Sequence, residues 1–146
     1  MKRRIEGLAW AERAESPFGG APRARGAKLA GLRFERSMVK RVSAWFPGDE
    51  VLAGPWIHYG DSNGPGFAQP DIVCLKRKIV FECKLGFRNE ALIELEELYL
   101  PLCERVWGEG FRGVVLAKHW RAEEQNSALL LPDLELLSAR LGVFLA

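Results

Sequence analysis

Residues 70–84, Pro70-Asp71-Ile72-Val73-Cys74-Leu75-Lys76-Arg77-Lys78-Ile79-Val80-Phe81-Glu82-Cys83-Lys84, decide how this chain is read. Two short runs rich in β-formers, Asp71–Leu75 and Ile79–Leu85, flank the basic turn Lys76-Arg77-Lys78 and predict a hairpin. Pairing Asp71 with Glu82 sets Val73 opposite Val80. Cys74 and Ile79 then stand at the ends of a four-residue turn, Leu75–Lys78. Because side chains alternate along a strand, Asp71, Glu82 and Lys84 share one face with Val73 and Val80, and Ile72, Cys74, Ile79, Phe81 and Cys83 cover the other. Both strands are largely apolar and so expected in the centre of a sheet, where charges are costly without a partner. Two facing carboxylates repel unless a cation lies between them. Hard oxygen ligands favour magnesium, with manganese as a substitute, and Lys84 is placed to steady an attacking water or to neutralise charge developing on a phosphoryl group.

Upstream, Leu32, Met38, Val39, Val42, Trp45 and Phe46 recur at helical spacing from about Lys28 to Phe46, and Pro47-Gly48 ends the run. Glu35 falls on this apolar stripe, three residues after Leu32 and seven before Val42. Two readings stay open for it: an edge residue paired with Arg36 or Lys84, or a fourth active-site acid that holds a second metal or a metal-bound water. Val51–Ile57 predicts a strand, Gly60–Gly66 a glycine-rich loop, and about Glu90–Trp107 a second helix, capped by Asn89 and kinked at Pro101. Phe111–Ala117 reads as a further strand, followed by a short helix from Pro132 and a last apolar run, Val143-Phe144-Leu145. The expected fold is an α/β domain, a mixed β-sheet flanked by helices with core order αβββαβ.

These residues resemble the PD-(D/E)xK nucleases, a superfamily that includes many restriction enzymes and the Holliday junction resolvases. Pro70-Asp71, then Glu82-Cys83-Lys84, and the preceding helix bearing Glu35 carry the resemblance, which spans about Lys28 to Ala117. Glu82-Cys83-Lys84 is the only acid-x-lysine triplet in the chain, and no such triplet follows the second proline-aspartate pair, Pro132-Asp133. The resemblance implies a restriction-endonuclease-like sheet and a catalytic set of Glu35, Asp71, Glu82 and Lys84. It also implies a metal bound by Asp71, Glu82 and the main-chain carbonyl of Cys83. Exonucleases of this superfamily often carry Gln-x-x-x-Tyr on the next helix; here the corresponding stretch is Leu95-Glu96-Glu97-Leu98-Tyr99, which speaks against an end-processing role. A short chain with a basic arm is most similar to the junction-resolving nucleases of archaea and phages, which act as homodimers on branched DNA. Two other readings compete, a nickase or restriction-like DNA nuclease and a catalytically inactive DNA-binding protein of the same fold.

The remaining features bound this picture. With 146 residues the chain is the size of one domain, read as a basic N-terminal arm over 1–27, with a helical turn around Ile5–Ala14, and a nuclease domain over 28–146. Net charge is +2, yet residues 1–48 carry eleven Lys/Arg against four Asp/Glu, or +7, and the rest ten against fifteen, or −5. The basic part is a candidate polyanion surface or simply a solvated arm. Arg23, Arg25, Lys28, Arg33, Arg36 and Lys40 are the candidate DNA contacts, with His58, beside Trp56 and Tyr59, as a further one. His119 is expected at a strand end without function. Three cysteines lack CxxC spacing and are expected as free thiols rather than a disulfide, zinc or iron-sulfur set. No long apolar span or signal-peptide core is present, so a cytoplasmic protein of a bacterial, archaeal or phage-infected cell is expected. Gly60–Gly66 lacks the lysine-serine/threonine ending of a P-loop, so no nucleotide cofactor is expected.

Overall fold

A computed structural model describes residues 5–11, 26–61, 64–126 and 140–146. In chain order the elements are β1 (Ile5–Ala11), α1 (Ala27–Trp45), β2 (Val51–Ala53), β3 (Trp56–Asp61), β4 (Gly64–Ala68), β5 (Ile72–Cys74), β6 (Ile79–Gly86), α2 (Asn89–Glu94), a π-helical segment (Leu95–Tyr99), α3 (Leu100–Trp107), β7 (Arg112–His119) and β8 (Leu141–Leu145). A short 3-10 turn, Ala122–Glu124, follows β7. The central sheet runs β2-β5-β6-β7-β8, antiparallel over its first three strands and parallel over its last three, so the molecule is mixed α/β. A smaller antiparallel sheet, β1-β3-β4, lies beside it.

The hairpin forms in the expected register, with Ile72 opposite Phe81, Val73 opposite Val80 and Cys74 opposite Ile79. Its turn is fixed from outside. Asp49 pairs with Lys76 at 3.5 Å and Arg77 at 3.2 Å, and the Arg77 guanidinium lies 4.4 Å from the Phe46 ring centre. Lys78 takes the left-handed conformation, φ 55°, and its ammonium donates to the Glu109 carbonyl at 2.6 Å. Each side of the sheet then acquires its own helix. Met38, Val42 and Phe46 of α1 bury against Ile72, Cys74, Ile79, Phe81, Val114 and Leu116. Leu95, Leu98 and Leu102 of the second helical stretch bury against Val73, Val80, Val115 and Val143. Leu32, expected on the buried stripe of α1, is exposed. All three cysteines are free, with Cys74 and Cys103 buried and Cys83 half-buried.

Four further expectations are corrected. Ile5–Ala11 is a strand paired antiparallel with β3, not a helical turn. So short a helix is marginal in water and Gly7 weakens it further, whereas the edge of β3 offers a row of backbone partners. The single strand expected over Val51–Ile57 breaks at Gly54-Pro55, where Gly54 has φ 58° and the chain leaves one sheet for the other. Within Gly60–Gly66, expected as a loop, Gly60-Asp61 and Gly64–Gly66 are strand residues, since β3 and β4 pair up to Asp61 and Gly64. Asn89 does not cap the second helix; it is the first helical residue, and Arg88 precedes it without a side-chain cap. Near Pro101 the helix widens: Leu100 N–H reaches back to the Leu95 carbonyl, five residues earlier. A proline removes a helical donor and crowds the preceding turn, and one π turn accommodates both effects. The arginines Arg23 and Arg25, most of the expected arm and the expected helix from Pro132 lie outside the described residues. The run Val143-Phe144-Leu145 belongs to β8, beside β7.

Gly66 stands opposite the buried Tyr59, and a β-carbon there would come within 2.6 Å of the Tyr59 ring. Gly66→Ala is expected to lower stability by about 1–3 kcal/mol through overpacking, visible as a fall of several degrees in thermal unfolding. An unchanged midpoint would show that the ring moves aside freely.

Candidate metal and catalytic site

Asp71 sits one residue before β5, and its position is set from two directions. Gly54 N–H donates to the Asp71 carbonyl at 2.8 Å, while Gln69 Nε2 donates to the Gly54 carbonyl at 3.0 Å. The bend that ends β2 thus holds the backbone of Asp71. From the other side, Cys83 N–H donates to Asp71 Oδ2 at 2.8 Å. The carboxylate occupies the place where a ladder carbonyl would accept that bond, just past the last β5–β6 pair. Extending the register one step beyond Asp71 and Glu82 puts Pro70 opposite Cys83. Residues paired this way normally exchange both backbone bonds, and Pro70 has no N–H to give. The Cys83 carbonyl, which points to the same side as its N–H, is therefore left without a ladder donor next to the Asp71 carboxylate.

Glu82 is buried, only 4% exposed, and hydrogen-bonds the Asp71 side chain. Its second oxygen, Oε2, has no partner at all among the described residues. Burial pushes its pKa up to about 10, and the hydrogen bond and charge of Asp71 act in the same direction; Lys84 opposes them, and Glu94 adds to them. Glu35, half-buried on α1, rises to about 7, first through burial and then through Asp71, with Arg36 and Lys84 pulling it back. The structure thus brings Glu35 and Glu82 each within electrostatic reach of Asp71 and Lys84. It does so although α1 packs on the opposite side of the sheet from Val73 and Val80, because Asp71 lies at the seam between the two sides.

Two participants escaped the sequence reading. Tyr99 Oη donates to Glu94 Oε1 at 2.9 Å, and burial, with Glu82 and Glu94 reinforcing it, drives the Tyr99 phenol well above its ordinary range. In a regular helix residues five apart do not face each other; the π turn over Leu95–Tyr99 brings them together. Glu94 and Tyr99 also line a cavity of about 620 Å³ with Trp56, Phe67 and Gln69. His58 packs edge-on against Phe67, ring centres 4.7 Å apart, on the smaller sheet, so the structure does not bring it to the acidic pair. Lys28, Arg33, Arg36 and Lys40 are exposed on α1.

The donors suit a small hard cation. Asp71 supplies carboxylate oxygen, Glu82 a buried oxygen lacking any partner, and Cys83 a carbonyl without a ladder donor. Among the described residues no three His, Cys, Asp or Glu side chains form a ready cage. Magnesium does not require one, since it keeps several waters and binds through one or two carboxylates. No family model matches the chain, and neither curated proteins nor solved structures give a match.

The raised pKa of Glu82 fixes a sign. The native state holds a proton that the unfolded chain releases above about pH 4.5, so stability falls as pH rises from there to about 10. Glu82→Gln is expected to flatten that slope and to stabilise the metal-free protein at pH 8 by roughly 1–3 kcal/mol, measured by urea unfolding at several pH values. Magnesium should stabilise the unsubstituted protein more at pH 8 than at pH 5 and leave the variant nearly unaffected. Equal magnesium effects on both proteins would exclude Glu82 as a ligand.

Proposed function

We propose that this chain is a metal-dependent DNA endonuclease of the PD-(D/E)xK superfamily, acting on four-way or otherwise branched DNA. The observation that carries the reading is the buried, partnerless oxygen of Glu82 beside the Asp71 carboxylate. A buried acceptor left without a partner is a standing cost, and a divalent cation bound there removes it. Along the central sheet, with β3 and β4 set apart in the smaller one, the order α1, β2, β5, β6, helix, β7 follows the αβββαβ pattern that the resemblance implies. The exposed cations of α1 support a polyanionic substrate.

When bound, a magnesium or manganese ion would acidify a water and draw charge from a phosphoryl oxygen. Asp71, Glu82 and the Cys83 carbonyl would hold it. The Lys84 ammonium then offsets the negative charge that grows on the phosphoryl oxygens during in-line attack. Glu35, with a pKa near 7, is suited to take the proton from the attacking water at its carboxylate, since a base works best when it titrates near the operating pH. Cys83 N–H keeps the Asp71 carboxylate aimed while this happens. Symmetric incision of a branch point requires two such sites, which a twofold homodimer provides.

Incubating the protein with linear, nicked, flapped and four-way DNA in magnesium tests the reading. Paired, symmetric cuts at four-way junctions are expected; cutting of linear duplex would replace the junction assignment by a restriction-like one, and binding without cleavage would leave an inactive DNA-binding protein. Asp71→Asn and Lys84→Ala should each reduce cleavage at least ~100-fold while DNA binding and the circular dichroism spectrum stay unchanged. Glu35→Gln should remove the rise in rate through pH 7. Full activity in either of the first two variants would end the nuclease assignment.

A further inference from the structure

The side of β6 that carries Glu82 and Lys84 continues to Gly86, and in the parallel register Gly86 stands beside His119 of β7. Past that row lies a cavity of about 420 Å³ lined by Gly86, Phe87, Arg88, His119, Trp120, Arg121 and Glu124. Phe87 and Trp120 pack against each other, ring centres 4.4 Å apart and planes tilted by 47°, and Phe87 N–H donates to the His119 carbonyl at 2.9 Å. The rim carries two exposed arginines, Arg88 and Arg121, beside the exposed imidazole of His119, and the one lining carboxylate, Glu124, reaches Arg121 only at 3.8 Å. An exposed pair that long is worth little and yields readily to a better anion. Neither the metal site nor the α1 cations account for these arginines.

We propose that Arg88, His119 and Arg121 form a phosphate-binding subsite for the nucleotide next to the bond being cut. This rests on the nuclease reading for its substrate and on the pocket alone for its anion chemistry. Two residues along a strand cover about 6.6 Å, so the Gly86–His119 row lies one step beyond Lys84, comparable with the spacing of neighbouring phosphates on one nucleic-acid strand. A phosphodiester leaving Lys84 along β6 therefore meets the guanidinium groups of Arg88 and Arg121, which suit phosphate oxygens through paired N–H donors. The open space over Gly86, where a β-carbon would touch nothing within 4 Å, leaves room for the backbone of that strand. Recognition here would be of phosphate and independent of base.

The chain has two histidines, His58 and His119, so their ring signals in a proton–carbon NMR spectrum report on two separate places without elaborate assignment. Metal-free protein is titrated with a dinucleotide lacking terminal phosphate, with inorganic phosphate, and with sodium chloride at matched ionic strength. The His119 signals are expected to shift saturably with the dinucleotide while those of His58 stay still, and the double variant Arg88→Ala/Arg121→Ala should abolish the shift. That variant should also lower the slope of log affinity for DNA against log salt by about 1–2, with the His58 signals confirming that it folds. No shift with the dinucleotide, a shift matched by chloride, a response to inorganic phosphate alone, or a shift that survives in the double variant would overturn the subsite. The titration involves neither metal nor cleavage. A protein that cuts no DNA yet shows the shift loses only the nuclease reading, and one that cuts DNA without the shift loses only the pocket.

Discussion

A carboxylate placed where a strand carbonyl should be is the constraint on which the site depends. The bond from Cys83 N–H to Asp71 Oδ2 ends the β5–β6 ladder with a side chain, so the ladder closes on a negative charge instead of a neutral peptide. Everything nearby serves to keep that arrangement. Gly54 turns the chain sharply enough to hold the Asp71 carbonyl, and Gln69 holds Gly54 in turn. Pro70 withholds the donor that would otherwise occupy the Cys83 carbonyl. Glu82 is left in contact with Asp71 in a place where water does not reach it.

Such a cluster is poor engineering for stability. A carboxyl group removed from water must either keep its proton or bear a costly charge, and an apolar side chain at position 82 would do neither. The flanking positions follow that simpler rule: Val80, Phe81, Val115 and Leu116 are all fully buried and apolar. An acid retained among them signals that the fold accepts strain at one point for the sake of chemistry. The half-buried Glu35 repeats the pattern from the neighbouring helix.

Much of this was legible in the residues themselves. The hairpin register followed from strand periodicity and the length of one basic turn, and Glu35 was recognisable by its place on an apolar stripe. What escaped detection depended on partners distant in sequence. Ile5–Ala11 becomes a strand only because β3 is there to pair with it. Gly54-Pro55 looks like an interruption until the second sheet gives the outgoing chain somewhere to go. Gly60–Gly66 has the composition of a loop, yet its pairing continues to Asp61 and Gly64. The position of Leu32 on the stripe was read correctly as a period and wrongly as burial, because only part of a helix need lie over a sheet.

The widened turn at Leu95–Tyr99 bears on how chains of this kind should be compared. One additional residue rotates everything ahead of it by about 100° relative to everything behind, since a helix advances one turn every 3.6 residues. Closing the wide turn into a regular helix with every residue kept would swing the glutamate away from the tyrosine hydroxyl, whereas deleting one residue between them would leave the two four apart and still neighbours. Alignment by letters would record a gap where the pair survives and nothing at all where it is lost.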